Sequence, residues 1–281
     1  MNIQDLTGNF LPADAEEKRT FDEFLEYVRD VLEGRRRMSF SALKDFRDGG
    51  PYGYMVKRRV KFKPTDAIEI GNIVEAILFD PDNVERKYAV WGARRAGNEY
   101  KAFVAEHEAA GTKVITKKMW DTAIYYASRV LSNPEAKDLI FSTTETQREL
   151  LFNIRGIQHI GYTDAEGERG SSPFVVDLKM VTNKTTTRQL EWEMLDRWFD
   201  AQAALYTIGR ESVPFYFIVL MGGGRCEVYK VTPNTRELAF KSYCSQLEEW
   251  KKTAEAGELF PGIWWRGPEA VRGFGEKVLS F

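Results

Sequence analysis

"FVVDLKMVT", residues 174–182, reads as a buried strand into which two charges have been set. Alternate residues of a strand face the same side, so Val175, Asp177 and Lys179 share one face while Phe174, Val176, Leu178 and Met180 share the other. A charge taken out of water is costly unless it is paired or binds a metal. The stretch is therefore either the wet face of an ordinary sheet or a site.

The segments on either side predict what surrounds it. Downstream, residues 189–209 carry Trp192, Leu195, Trp198, Phe199 and Ala203 as a helix, with Gln202 and Tyr206 four apart on one of its faces. "VPFYFIVLM", "GGG" and "RCEVYKVT" form the clearest hairpin signal, and "TRELAFKSYCSQLEEWKKTAEAG" a final amphipathic helix. Upstream, "LLFNIRGIQHIGYTD" is β-like and "AEGERGSS" reads as a loop, which predicts one hairpin with a long tip leading into the strand of Asp177. A helix is expected from Thr116 to Leu131, with Met119, Ile124 and Val130 turned inward, stopped by Asn133-Pro134. Residues 82–115 are polar and irregular.

Nearer the N-terminus, Thr65 is placed to cap "DAIEIGNIVEAILF", whose stripe is Ala67, Ile70, Val74 and Ile77, with Glu75 at its margin. A glutamate bordered by apolar residues is either snorkelling or functional. Residues 15–33 form a helix with Phe21, Phe24, Leu25, Val28 and Leu32 on one stripe. "SFSALKDF" is a short helix capped by Ser39 or Ser41, followed by "GGPYGY" as loop punctuation. The order, helices and then β–β–α–β–β–α, predicts an α/β fold with an N-terminal helical part. It divides into a helical region at 1–64 and a core at 65–281.

Bulk composition narrows the chemistry. Of 281 residues, 43% are hydrophobic and 29% charged, as in a soluble globular protein. No apolar run approaches the roughly 20 residues of a membrane span, and the N-terminus lacks the pattern of a signal peptide, so an intracellular, cytoplasmic protein is expected. Two cysteines, Cys226 and Cys244, and two histidines, His107 and His159, exclude a four-cysteine or histidine-rich metal site within one chain. A bound metal would have mostly oxygen ligands, which points to magnesium or manganese. The net charge of −2 does not advertise nucleic-acid binding, but "RRR" at 35–37 and "KRRVKFK" at 57–63 are clusters able to track phosphates or to remain solvated surface.

The order of these features resembles the PD-(D/E)xK nuclease superfamily, and within it the RecE-like exonuclease VIII group of phage recombination nucleases. Its N-terminal block is matched by Ser39, Ser41, Leu43, Pro51, Thr65, Ala67, Gly71 and Pro81, with Glu75 where that group has histidine and the wider superfamily glutamate. Its later block is matched by Asp177, Lys179, Gln202 and Tyr206, and the likeness extends over residues 38–265, including the "FPGIW" tail. Met180 stands in place of a usual threonine. The strand before the hairpin should carry an aspartate; direct alignment puts Gln158 there, and Asp164 lies six residues on.

The resemblance implies a restriction-endonuclease-like core of αβββαβ type, a central mixed β-sheet flanked by helices. It implies a Mg2+-dependent exodeoxyribonuclease, with Mn2+ as substitute, acting 5′ to 3′ on linear double-stranded DNA ends in phage-type recombination. The setting would be a bacterial or phage-infected cell. Asp177, the Leu178 carbonyl, Glu75 and Gln158 become metal ligands. Lys179 orients or deprotonates the attacking water, and Gln202 and Tyr206 brace the site or hold DNA backbone. A single-strand annealing protein is the expected partner, and a ring-shaped homo-oligomer the expected assembly. Arg155 is either a phosphate contact or a surface ion pair, and His159 a sheet- or DNA-facing residue. Two other readings stand beside this one: a DNA-binding protein weakened or inactivated by a neutral Gln158, and an interaction protein docking through "IWW" at 263–265.

Overall fold

The computed structural model describes residues 15–59 and 64–256. The "FPGIW" tail, "IWW" and the later part of "KRRVKFK" fall outside them. The chain begins with α1 (Ala15–Leu32), a two-residue strand β1 (Met38–Ser39) and α2 (Phe40–Arg59). Phe21, Phe24 and Val28 are buried as the stripe requires, but Leu32 is exposed and Val31 takes the inward place. Ser39 Oγ accepts from Ala42 N at 3.2 Å. α2 does not end at "GGPYGY": it kinks at Gly50, whose φ of 61° suits a residue without Cβ, and runs on past Pro51.

α3 (Asp66–Phe79) starts at Thr65, whose side chain accepts from Ile68 N at 3.3 Å. Its buried stripe is Glu69, Ile73, Val74, Ala76, Leu78 and Phe79, so the face is rotated from Ala67 and Ile70. The polar stretch that follows is structured. A 3-10 turn (Pro81–Asn83), α4 (Val84–Lys87), β2 (Tyr88–Trp91), α5 (Gly97–Ala109) and β3 (Lys113–Thr116) make an excursion in which β2 and β3 pair in parallel. α5 buries none of its residues, so it has no apolar stripe to betray it in sequence. α6 (Lys117–Leu131) presents Met119, Ala123, Ala127 and Val130 inward, while Ile124 is exposed. Asn133 opens another helix, α7 (Pro134–Phe141), by accepting from Glu135 N and Ala136 N.

The expected single hairpin with a long tip is two hairpins. β4 (Thr143–Thr146) and β5 (Glu149–Ile154) run against β6 (Ile157–Tyr162) and β7 (Ala165–Arg169), and β8 (Ser172–Val181) returns along β7 through a tight turn at Gly170-Ser171. The "AEGERGSS" loop is therefore mostly strand. α8 (Thr187–Asp196) and α9 (Phe199–Tyr206) replace one long helix, because Trp198 takes a left-handed conformation with φ 62°. β9 (Phe215–Met221) and β10 (Cys226–Val231) form the expected hairpin, and α10 (Pro233–Ala256) closes the described chain.

The main sheet has the order β10-β9-β8-β7-β4, with β8 and β9 parallel and the other neighbours antiparallel. A second sheet, β1-β6-β5, is built on the N-terminal segment. β9 is buried along its whole length: Phe215, Phe217, Val219 and Met221 face one core with α1, α2, α9 and α10. Tyr216, Ile218 and Leu220 face a second core with α3, α6 and α7. A mixed sheet covered by helices on both faces is the expected α/β architecture. Among the described residues no helix is long and apolar enough to cross a membrane.

Candidate active site

Asp177 and Lys179 lie on the face of β8 turned toward α9. Asp177 is 1% exposed, and its Oδ1 accepts from Gln202 Nε2 at 2.8 Å. Its Oδ2 is 2.6 Å from Lys179 Nζ, an ion pair off hydrogen-bond geometry, so that oxygen has no hydrogen-bonding partner. Lys179 Nζ also lies 4.8 Å from the Phe199 ring and 5.8 Å from that of Phe217. The left-handed break at Trp198 starts the helix that carries Gln202 and Tyr206. Such a backbone costs a bulky residue about 1–3 kcal/mol; Trp198 holds it by packing on Phe40 and Tyr243 and under the Arg47 guanidinium.

Asp164 completes the cluster. β7 and β8 pair from Arg169↔Ser172 to Ala165↔Val176. One further step of that register sets Asp164 opposite Asp177. The ladder stops there, and the Asp164 carboxylate instead takes the vacated N–H of Leu178 at 2.9 Å. A residue's N–H and C=O point to the same side of a strand, so the Leu178 carbonyl is directed to the Asp164 side. Glu75 approaches from α3, whose Gly71 lies against Met180 of β8, and accepts from Gln147 Nε2 at 2.6 Å. Tyr206 packs so closely on Gly161 that a Cβ there would sit 2.8 Å from its ring.

Gln158 is not part of this group. It is exposed on β6 of the second sheet, opposite Asn153. The chain passes from β6 to β7 at Thr163–Asp164, and this sheet switch brings Asp164, six residues beyond Gln158, beside Asp177 and the Leu178 N–H. Arg155 is the surface ion pair, 2.8 Å from Glu248. His159 is 1% exposed and stacked on Phe152, a sheet residue turned into the core. In the first basic cluster, Arg35 is paired with Asp30 and Glu33.

Burial and mutual repulsion govern the charges. Burial pushes the Asp164 carboxyl well above the usual range, and Asp177 and Glu75 push it further. Burial likewise raises Glu75, with Asp177 adding to it. Burial raises Asp177 against the pull of Lys179 and Gln202. Burial alone would lower the Lys179 ammonium, but Asp177 and Asp164 outweigh it and hold the group above its ordinary value. Three carboxylates thus share one lysine. When ionised they leave an excess of two negative charges, the deficit a divalent cation would fill.

The donor set fits such an ion: it is all oxygen, and it contains a buried carboxylate oxygen, Asp177 Oδ2, held only by its ion pair with Lys179. Among the described residues no three acidic, histidine or cysteine side chains converge into a ready-made cage. Magnesium takes one or two carboxylates and completes its octahedron with water and substrate phosphate, so an open set suits it.

No family model matches the chain, and no curated protein matches it. Solved structures do. One, from Eubacterium rectale, is named as a candidate exonuclease; at 15% identity it covers 89% of this chain and 89% of its own, with a TM-score of 0.55. The two chains share a fold. In this chain that fold is a mixed sheet between helices, the α/β arrangement expected from the sequence. A second, SSO0001, at 13% identity, covers 78% of this chain and 85% of its own with a TM-score of 0.28, too low to carry weight.

Around the cluster lie residues that no motif marked. Glu166, buried on β7, is gripped by both arms of Arg210 at 2.7 and 3.0 Å and by Arg148 at 3.0 Å. Arg210 also donates to the Tyr206 carbonyl at 2.9 Å, tying α9 to the strand that follows Asp164.

Proposed function

We propose that the protein is a divalent-ion-dependent nuclease that hydrolyses phosphodiester bonds of linear double-stranded DNA. The observation that carries this reading is the gathering of Asp164, Asp177, Glu75 and Lys179 at the point where β7 leaves β8. An exonuclease name on a protein of the same fold supports it. Mg2+ is the expected ion and Mn2+ its substitute. Bound there, it would neutralise phosphate charge and lower the pKa of an attacking water.

The chain's own residues would divide the remaining work. Asp177 and Asp164 would hold the ion with the Leu178 carbonyl, and Glu75 would reach it directly or through water. Gln202 fixes the Asp177 carboxylate by its 2.8 Å bond to Oδ1, so Oδ2 would be the oxygen to hold an ion once Lys179 turns away. Lys179, protonated beside Asp177, would be released to meet the phosphate or the attacking water. Its two aromatic neighbours limit its reach. Tyr206 would brace α9 under β6.

A binding-only protein was the reading that a neutral Gln158 favoured. Asp164 beside Asp177 weighs against that reading, because it offers the second carboxylate that Gln158 lacks. End resection with 5′ to 3′ polarity, an annealing partner, a ring of subunits and a bacterial or phage-infected cell follow from the family resemblance and belong to the same proposal.

The test is hydrolysis of end-labelled linear duplex with magnesium or manganese, beside closed circular duplex. Wild-type protein is expected to shorten the linear substrate alone, and Asp177→Ala and Lys179→Met to lose at least a hundredfold in rate. Activity that survives Asp177→Ala would remove this site from the chemistry. DNA binding without hydrolysis in either metal would return the binding-only reading.

A further inference from the structure

Two links cross between the sheets side by side: residues 147–148, from β4 to β5, and residues 163–164, from β6 to β7. They are stitched by Gln147 N donating to the Asp164 carbonyl at 3.1 Å and Thr163 N donating to the Arg148 carbonyl at 3.1 Å. The double strand therefore bends at Gln147 and Asp164 without breaking its pairing. The side chain of Gln147 then reaches α3 and donates to Glu75 Oε1 at 2.6 Å. One residue thus touches both the strand that presents Asp164 and the carboxylate that comes from the helix.

Its backbone makes the choice of glutamine telling. Gln147 has φ 53°, a left-handed conformation that costs a residue with a Cβ roughly 1–2 kcal/mol and a glycine almost nothing. A position serving only as a bend would be cheaper as glycine. The amide also suits its partner, because an uncharged donor stabilises a carboxylate among other carboxylates without cancelling the charge an ion needs. A lysine or arginine there would compete with the cation.

We propose that Gln147 is a positioning residue of the ion site. It holds Glu75 on α3 at a fixed place relative to Asp164, so the carboxylates of two separate elements are set before the ion arrives. This rests on the nuclease reading of the cluster. Outer partners that orient ligating groups typically change metal affinity about 10–100-fold when removed. The expectation for Gln147 is about tenfold, since it is exposed and acts on one carboxylate.

The experiment is calorimetric titration of manganese into the full-length wild type, Q147G and Q147E, alone and with a short duplex blocked by phosphorothioate linkages. Thermal melting is followed in parallel without metal. Q147G keeps the left-handed backbone and deletes the amide. It should melt at or above the wild-type temperature yet bind manganese about tenfold more weakly. Q147E puts an acceptor and a like charge against Glu75 and should lose affinity although it keeps the side-chain length. Equal manganese affinity in Q147G and wild type would overturn the positioning role and leave the nuclease reading standing. Wild-type protein that binds no manganese with or without DNA would overturn both.

Discussion

The most searching prediction concerns Asp164, the acid that the sequence alignment leaves open. Asp164→Asn keeps an oxygen to accept the Leu178 N–H, now made at 2.9 Å, and removes one of three carboxylates crowded on one lysine. Without divalent ion the variant should therefore be more stable than wild type. Relief of a repulsive charge commonly gains about 0.5–2 kcal/mol, or roughly 1–4 °C in Tm for a chain of this size. Asp164→Ala removes the acceptor as well. A buried N–H left unpaired costs about 1–3 kcal/mol, so Ala should fall below Asn by that amount. The pH dependence has a definite sign. The folded-state pKa of Asp164 is raised, so the wild type carries no penalty below the unfolded carboxyl pKa and loses stability as pH rises through the folded one. The Asn advantage should be absent in acid and grow as pH rises from the unfolded carboxyl pKa toward the raised folded one. Manganese should then invert the order, because an ion at a hundred times its Kd adds about 2.7 kcal/mol to a protein that binds it. The assay is urea unfolding across pH, with and without manganese. An Asn variant that is less stable than wild type at neutral pH, or one that manganese stabilises equally, would refute the placement of Asp164 in a strained ion site.

Two further outcomes test the scaffold. His159 donates from Nδ1 to the Ile157 carbonyl at 2.9 Å and leaves Nε2 buried without a partner, and burial pushes its pKa down to about 4. The unfolded chain binds that proton first, so stability should fall by about 3 kcal/mol as pH drops from 6.5 toward 4. In His159→Phe that part of the urea-midpoint pH profile should disappear; an unchanged profile would assign the acid sensitivity elsewhere. Gly167→Ala should cost about 3 kcal/mol or prevent folding, because its Cβ would lie 2.1 Å from the Ser142 carbonyl oxygen and 2.6 Å from the Phe174 ring. A urea midpoint within error of wild type would show that β7 does not pass so close to the end of α7.

Much of the fold was legible because its signals are local. The apolar run of β9, the Thr65 cap and the periodicity of α6 and α10 each rest on neighbours in sequence. What escaped depends on distant partners. Glu166 and Glu168 made β7 look like loop, yet Glu166 is buried because Arg210, 44 residues away, neutralises it. α5 has no buried face to leave a period in the sequence. The break at Trp198 carries no glycine or proline; three side chains from elsewhere in the chain hold it. Asp177, Lys179, Glu75, Gln202 and Tyr206 were marked by motif order, whereas Gln147 has no sequence signature because its role depends on a bend between two sheets.

Asp164 is different, since the information that places it was present in the chain. Gly170-Ser171 is a two-residue hairpin of the glycine-first kind, and a turn fixes the register of both strands that leave it. Counting back from Arg169↔Ser172 through Ala165↔Val176 sets the next pair as Asp164 and Asp177. Reading "AEGERGSS" as loop forgoes that count and leaves Gln158 and Asp164 both open. The turn thus fixes more than a strand boundary. It brings a second carboxylate opposite the first, at the step where β7 abandons the ladder and the Leu178 N–H and carbonyl are freed. Shortening or lengthening this turn by one residue would shift Asp164 off Asp177 and turn its side chain to the other face, with every site residue still present in the sequence.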